Sequence, residues 1–128
     1  MPAAELASIY RAYIDCLNRQ DWAALGTFVD DGVVYNDERI GLAGYSAMLE
    51  KDFEQISDLS FEIELLVADG RHVAARLAFN CAPKGAFLGL AVNGKKVSFA
   101  ENVIYAFSGG RIVRVWSVID KAAIEAQL

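Results

Sequence analysis

The feature that most constrains the fold lies near the end of the sequence, where two long runs of β-forming residues meet at a loop with two glycines. Residues 97–120 read V-S-F-A-E-N-V-I-Y-A-F-S-G-G-R-I-V-R-V-W-S-V-I-D. β-Branched and aromatic residues favour strands, and a Gly-Gly pair between two such runs favours a tight turn. The stretch therefore predicts a β-hairpin, and any fold for this chain has to include an antiparallel sheet.

The pairing of these two strands decides which side chains share a face. If the two glycines alone form the loop, Val103 lies opposite Trp116 and Glu101 lies opposite Val118. Glu101 and Asp120 are then diagonal neighbours on one face beside Trp116, with backbones roughly 7–8 Å apart. A three-residue loop would shift the pairing by one and put Glu101 on the opposite face from Asp120. The first pairing makes the two carboxylates a candidate acid–base pair.

The first half of the chain has the periodicity of helices. Apolar residues at helical spacing predict an amphipathic helix over residues 3–19 and another over 43–56, with a short helix after Asp21 and a short strand over 33–36 between them. The stripe of the first helix consists of Leu6, Ile9, Tyr10, Tyr13, Ile14 and Leu17.

From residue 61 the apolar period changes to two, which predicts strands over 61–67 and 72–81 joined at Asp69-Gly70. Residues 86–88 between glycines predict a bent strand at the rim, and 121–128 a short final helix. Helices followed by hairpin-connected strands predict one α+β domain over residues 1–128, with an antiparallel sheet covered by helices on one side. Curled around the first helix, this sheet would form a cone whose mouth is a pocket for a small hydrophobic molecule.

Composition excludes several other classes of protein. The chain has 17 acidic against 12 basic side chains and no cluster of Lys or Arg, so we expect no nucleic-acid partner. It has one histidine, two cysteines and no C-x-x-C, so we expect neither a metal site nor a disulfide framework, as in a reduced, cytoplasmic protein. The N-terminus is acidic and no run of ~18 apolar residues occurs, which argues against a signal peptide and a membrane partner.

Three stretches of the sequence resemble one known family. They are residues 58–76, D-L-S-F-E-I-E-L-L-V-A-D-G-R-H-V-A-A-R; residues 85–99, G-A-F-L-G-L-A-V-N-G-K-K-V-S-F; and residues 110–120, G-R-I-V-R-V-W-S-V-I-D. Through them nearly the whole chain resembles the SnoaL-like polyketide cyclases, within the nuclear transport factor 2-like superfamily. The resemblance implies a cystatin-like α+β cone, a curved antiparallel sheet wrapped around N-terminal helices. It also implies an intramolecular aldol condensation without metal or cofactor.

The resemblance assigns a role to one carboxylate in particular. Asp120, after W-x-x-x, matches the general acid/base of the family. The family's first strand usually reads Y-H-D, whereas this chain has Tyr35-Asn36-Asp37, which keeps a hydrogen-bonding group but loses a base. Without the resemblance, the N-cap of the final helix is the more usual role for an aspartate at this place.

The other candidate site residues have alternatives of their own. Glu101 is either a second catalytic carboxylate or the partner of Arg114 or Arg76 in a buried ion pair. Arg76 and Asn80, polar on an otherwise apolar strand face, are candidates to stabilise an oxyanion. The remaining candidates are substrate-binding residues along the pocket wall, with tyrosine hydroxyls at its edge: Trp116, Tyr13, Tyr35, Asn36 and Arg114. We expect Trp116 and Tyr13 to close the deep end of the pocket.

The leading hypothesis is cofactor-free acid–base chemistry on a small hydrophobic oxygenated substrate. A non-catalytic ligand-binding or dimerisation module, or a cofactor-free dehydratase, epoxide hydrolase or isomerase, are the alternatives, since one fold serves many functions. The last two strands are apolar on both faces, so Val113, Val115 and Ile119 would be exposed on a monomer. We therefore expect a homodimer.

Overall fold

A computed structural model describes all residues from Met1 to Leu128. The predicted α+β class is confirmed. The helices are α1 (Ala3–Asn18), a 3-10 helix (Trp22–Thr27), α2 (Gly41–Gln55) and α3 (Lys121–Glu125). The strands are β1 (Val29–Tyr35), β2 (Glu38–Arg39), β3 (Glu62–Ala68), β4 (His72–Cys81), β5 (Ala86–Phe87), β6 (Leu90–Ala91), β7 (Val97–Ser108) and β8 (Arg111–Ile119).

Six of the strands form a curved sheet in the order β2-β1-β8-β7-β4-β3. Its neighbours are antiparallel, as predicted, except that β1 pairs parallel with β8. The sequence pattern did not indicate this pairing, because β1 is separated from β8 by most of the chain. β5 and β6 form a separate two-stranded hairpin, in the region predicted as a bent strand at the rim.

The β7–β8 hairpin begins in the predicted register and then leaves it. Ser108 pairs with Arg111 across two glycines that both have positive φ, 58° and 78°, as a type I′ turn requires. Val113 is then an extra residue on β8, a β-bulge that shifts all later pairs by one. Glu101 therefore lies opposite Ile119, and the predicted pairing with Val118 is wrong.

A second bulge changes the faces of β3. Ile63 pairs with Leu77 but Leu65 pairs with Arg76, so Glu64 is the extra residue. The bulge turns Leu65 and Val67 outward, although alternation alone predicted that they share a face with Phe61 and Ile63. The outer face of the sheet is consequently more apolar than predicted.

The core lies between the inner, concave face of the sheet and the two long helices. The apolar stripe of α1 is buried as predicted: Leu6, Tyr10, Tyr13, Ile14 and Leu17 belong to one cluster of 27 buried residues. Each large side chain buried in this way contributes about 1.5–3 kcal/mol relative to an exposed one. Asn18 fastens the end of α1 to the sheet, since its side chain donates to the Phe61 carbonyl and accepts from the Phe61 amide. None of these helices combines the length and apolar character needed to cross a bilayer.

Candidate active site

A cavity of about 170 Å³ lies between the inner face of the sheet, α1, α2 and the β5–β6 hairpin. Seventeen of its 19 lining residues are apolar or aromatic, and the other two are Asp52 and Glu101. The wall is formed by Tyr13, Leu17, Tyr35, Tyr45, Met48, Leu49, Ile56, Leu59, Phe61, Phe79, Phe87, Leu88, Phe99, Val103, Tyr105, Val115 and Ile119. Two carboxylates in such a wall are the groups able to exchange protons with a ligand.

Glu101 faces the cavity because it lies on the inner side of β7, between Phe99 and Val103. Its carboxylate accepts a hydrogen bond from the Ser117 hydroxyl on β8. Burial raises the pKa of Glu101, and the Ser117 hydrogen bond opposes that rise because it stabilises the ionised form. The result is a carboxylate held in one orientation, with a weakened preference for the charged state.

Glu101 has no cationic partner. Arg76 binds the Glu64 carboxylate at 3.1 Å and the Asn102 side chain at 3.0 Å, both on the outer face. Arg114 binds the Asp37 carboxylate. The predicted alternative of an ion pair between Glu101 and either arginine is therefore wrong.

Asp52 is the second carboxylate, and the sequence analysis did not identify it. It lies on α2 within the stripe that faces the cavity, three residues after Leu49 and four before Ile56. The pKa of Asp52 is raised to about 6, chiefly by burial and then by the negative charge of Glu101. The signal that could have revealed it is an acidic residue inside the apolar stripe of an amphipathic helix, a place where a charge is costly.

Tyr13, Tyr45 and Tyr105 bring hydroxyl groups to the cavity wall, and Tyr10, which does not line the cavity, contacts Tyr105. The hydroxyl oxygens of Tyr13 and Tyr45 are 2.6 Å apart, and the Tyr10 hydroxyl donates to the Tyr105 hydroxyl at 3.2 Å. Burial raises the pKa of all four phenols above its ordinary value. They therefore stay neutral and remain hydrogen-bond donors throughout the physiological pH range.

The chain is similar to one protein family over nearly its whole length. The sequence profile of the SnoaL-like polyketide cyclases matches residues 7–128. The chain belongs to this family. A SnoaL-like polyketide cyclase from Agrobacterium tumefaciens is 54% identical and aligns over 99% of this chain and 98% of its own, with a TM-score of 0.95.

More distant structures share the fold of this SnoaL-like protein. TsrD from Streptomyces laurentii is 22% identical over 99% of this chain and 96% of its own, with a TM-score of 0.85. IdmH from Streptomyces antibioticus is 16% identical over 95% of this chain and 96% of its own, with a TM-score of 0.82. No curated protein gives a significant match.

Asp120, which was predicted to be the acid/base residue from the family resemblance, lies between β8 and α3. Its carboxylate accepts a hydrogen bond from the Ala123 amide at 3.1 Å, and its own amide donates to the Ala100 carbonyl at 2.9 Å. This is the geometry of the predicted N-cap alternative. Asp120 is not among the residues that line the cavity, so the structure does not bring it onto one face with Glu101.

Trp116 lies on the outer face of the sheet, opposite Ile104, because of the bulge at Val113. The prediction that it closes the deep end of the cavity is therefore wrong, whereas Tyr13 does line the cavity. The Arg114 guanidinium covers the Trp116 ring, 5.1 Å from its centroid. Arg114 is thus also outside the cavity.

Asn80 and Arg76 are on the outer side of β4, where the Asn80 side chain accepts from the Ser98 hydroxyl at 3.1 Å. Neither residue lines the cavity, so the structure does not bring these two oxyanion candidates together with Glu101 and Asp52. No three His, Cys, Asp or Glu side chains are grouped in a way that could hold a metal ion.

Tyr35 and Asn36, both predicted to bind substrate, differ in position, because only Tyr35 is among the residues that line the cavity. Tyr35 lines the cavity, and Asn36 lies beside it in a shallow depression next to Ser117. The Asn36 side chain accepts from the Ser117 amide at 2.8 Å and donates to the Ser117 carbonyl at 3.1 Å. Asn36 thereby fixes the backbone of the residue whose hydroxyl binds Glu101.

Proposed function

We propose that this SnoaL-like protein is an acid–base enzyme that needs no cofactor and acts on a small hydrophobic oxygenated molecule, with Glu101 as the base. The observation that carries the proposal is a carboxylate without a cationic partner, held by Ser117 inside an apolar cavity. A carboxylate taken out of water is a stronger base than one in solution, because its charged form is less well solvated. The carbon chain of the substrate would lie against the aromatic wall.

The reaction that fits the family is an intramolecular aldol addition. Glu101 removes a proton from a carbon next to a carbonyl, and the resulting enolate attacks a second carbonyl of the same molecule. One carbon–carbon bond forms, and the attacked oxygen becomes an alkoxide that has to receive a proton. A positioned base typically accelerates such a step by ~10²–10⁴-fold.

Glu101 is preferred over Asp120 as the base because Glu101 lines the cavity and Asp120 does not. The Asp120 carboxylate instead accepts a hydrogen bond from the Ala123 amide at the start of α3. We therefore propose that Asp120 stabilises α3 and that Glu101 carries out the chemistry.

The test uses heptane-2,6-dione, a simple diketone that closes to 3-methylcyclohex-2-enone with loss of water. Enone formation, followed by ultraviolet absorption, should be faster with the wild-type protein than with buffer. Glu101→Gln, which keeps shape but cannot accept the proton, should lose roughly 10²-fold or more of this acceleration. Asp120→Asn is the matched control and should retain it, because asparagine caps a helix about as well as aspartate.

Two results would contradict the proposal. One is a wild-type rate equal to that of buffer. The other is full activity of Glu101→Gln, and loss of activity in Asp120→Asn would then return the base role to Asp120, as the family resemblance implies.

We also propose a homodimer, formed through the outer face of the sheet. Leu65, Val67 and Val118 are 58%, 59% and 68% exposed there, and such patches on a folded chain usually mark interfaces. Val115 and Ile119, which the sequence analysis assigned to this surface, instead line the cavity.

The charged groups on this face are compatible with a contact between two copies. Arg76 pairs with Glu64 and Arg114 with Asp37, so a second copy would bury no unpaired arginine. Sedimentation should give a dimer for the wild type and a monomer for Val118→Asp. A wild-type monomer at micromolar concentration would contradict this proposal.

A further inference from the structure

The two carboxylates of the cavity come from different elements and have different partners. Glu101, on β7, accepts a hydrogen bond from Ser117. Asp52, on α2, lines the same cavity, and neither a hydrogen bond nor an ion pair stabilises its charged form beyond a weak influence of Lys51. A hydrogen-bond donor favours ionisation of the group that accepts it. Glu101 is therefore the group that ionises first, and Asp52 is the group that keeps its proton.

Repulsion between the two negative charges also favours a state in which Glu101 is ionised and Asp52 is protonated. Once Glu101 is negative, ionisation of Asp52 would place a second negative charge in the same apolar space. The other titratable groups of the cavity are the phenols of Tyr13, Tyr35, Tyr45 and Tyr105, which stay neutral because burial raises the pKa of each. The singly protonated pair, with the proton on Asp52, is thus the favoured state between the two titrations.

We propose that Asp52 is the proton donor of the reaction, on the α2 side of the cavity from the base Glu101. The proposal rests on the function proposed above, since it needs a substrate oxygen that becomes negative when Glu101 has taken a proton from carbon. Asp52 gives its proton to that alkoxide, which becomes the aldol hydroxyl. Glu101 is then protonated and Asp52 ionised, and transfer of one proton from Glu101 to Asp52 through water restores the starting state.

The pH dependence of the rate distinguishes a proton donor at Asp52 from a residue that only fills space. A space-filling Asp52 could be replaced by asparagine with no change in the pH dependence of the rate. A proton donor must be protonated while the base is ionised, so the rate should fall at low pH, as Glu101 gains a proton, and again above about pH 6, as Asp52 loses its own. Asparagine has no proton to donate and would remove the second fall.

The experiment compares four proteins in the cyclisation of heptane-2,6-dione across pH: wild type, Asp52→Asn, Glu101→Gln and Glu50→Gln. Glu50 is an exposed acidic residue of the same helix, so its variant controls for a general change of charge on α2. Asp52→Asn should lose roughly 10- to 100-fold in rate at pH 5–6 and show no decline at higher pH. Glu50→Gln should match the wild type in rate and profile, and thermal unfolding should confirm that all four are folded.

The outcomes distinguish this inference from the proposed function. If Asp52→Asn keeps the wild-type rate and profile while Glu101→Gln is inactive, Asp52 is not the donor and the role of Glu101 stands. If Glu101→Gln stays active, or the wild type does not accelerate the reaction, the proposed function fails and the role of Asp52 fails with it.

A second measurement needs no substrate. Carboxyl carbons titrated by NMR should show the pKa of Asp52 falling towards the ordinary value of 3.8 in Glu101→Gln, because the neighbouring charge is removed. An unchanged Asp52 titration would mean that the two groups do not share the cavity electrostatically, and it would overturn the inference.

Discussion

Charged side chains have different partners and different exposure on the two faces of the sheet. On the outer face, Arg76 pairs with Glu64 and Arg114 with Asp37, and all four side chains are 42–74% exposed. On the inner side, Glu101 and Asp52 border an apolar cavity without a cationic partner. Exposed ion pairs contribute about 0–1 kcal/mol and cost little to form, whereas an unpaired carboxylate out of water is destabilising. The inner carboxylates therefore do not stabilise the fold, which supports the acid–base role proposed for them.

The largest effect that separates the two faces should come from leucine truncation. Leu77 is 1% exposed on the inner face. Leu77→Ala should lower the free energy of unfolding by about 2–5 kcal/mol, because the substitution leaves a cavity in the core. Leu65→Ala, at an exposed position on the outer face, should change it by less than about 0.5 kcal/mol in the monomer. Chemical denaturation measures both values.

The same experiment also sharpens the dimer proposal. If Leu65 lies in an interface, the effect of Leu65→Ala should grow with protein concentration, because association stabilises the folded state. Equal losses for Leu77→Ala and Leu65→Ala at low concentration would mean that the two faces are not as different as the structure indicates.

A medium effect should come from the pH dependence of stability. The pKa of Asp52 is about 6 in the folded protein against an ordinary 3.8, so the native state binds the proton more tightly than the unfolded chain. Wild-type stability should therefore fall as pH rises from about 4 to about 6 and then level off, by up to about 3 kcal/mol from this residue.

Asp52→Asn should not show this part of the decline and should be the more stable protein at pH 7. Melting temperatures of wild type and variant across pH 4–8 provide the comparison. Parallel curves for the two proteins would show that Asp52 titrates normally and is solvated.

The smallest effect is expected on the outer face. Arg76→Gln removes an ion pair whose side chains are 43% and 53% exposed, and it should cost less than about 1 kcal/mol, an amount that decreases with added salt. This value applies to the monomer, measured at low protein concentration, and a loss of several kcal/mol there, independent of salt, would contradict the exposed position of the pair.

Much of the fold could be predicted from local patterns. The apolar stripe of α1, the strands β3 and β4 and the Gly-Gly turn of the last hairpin all have signals that lie within a few residues of one another. The bulges at Glu64 and Val113 have no such signal, since each adds one residue to a strand whose alternation otherwise reads normally. A single extra residue exchanges the inner and outer faces beyond it, and this is why Trp116 was assigned to the wrong side.

The candidate site also has a part that the sequence determined and a part that only the tertiary structure decided. The sequence by itself determined the α+β class, the resemblance to the SnoaL-like family and the candidacy of Glu101, because these depend on composition, periodicity and short motifs. Only the tertiary structure decided that Ser117 binds Glu101, that Asp120 caps α3, and that Asp52 faces the same cavity from α2. The physical reason is that a pKa depends on burial and on neighbouring charges, and Asp52 and Glu101, far apart in sequence, become neighbours only when α2 packs over the inner face of the sheet.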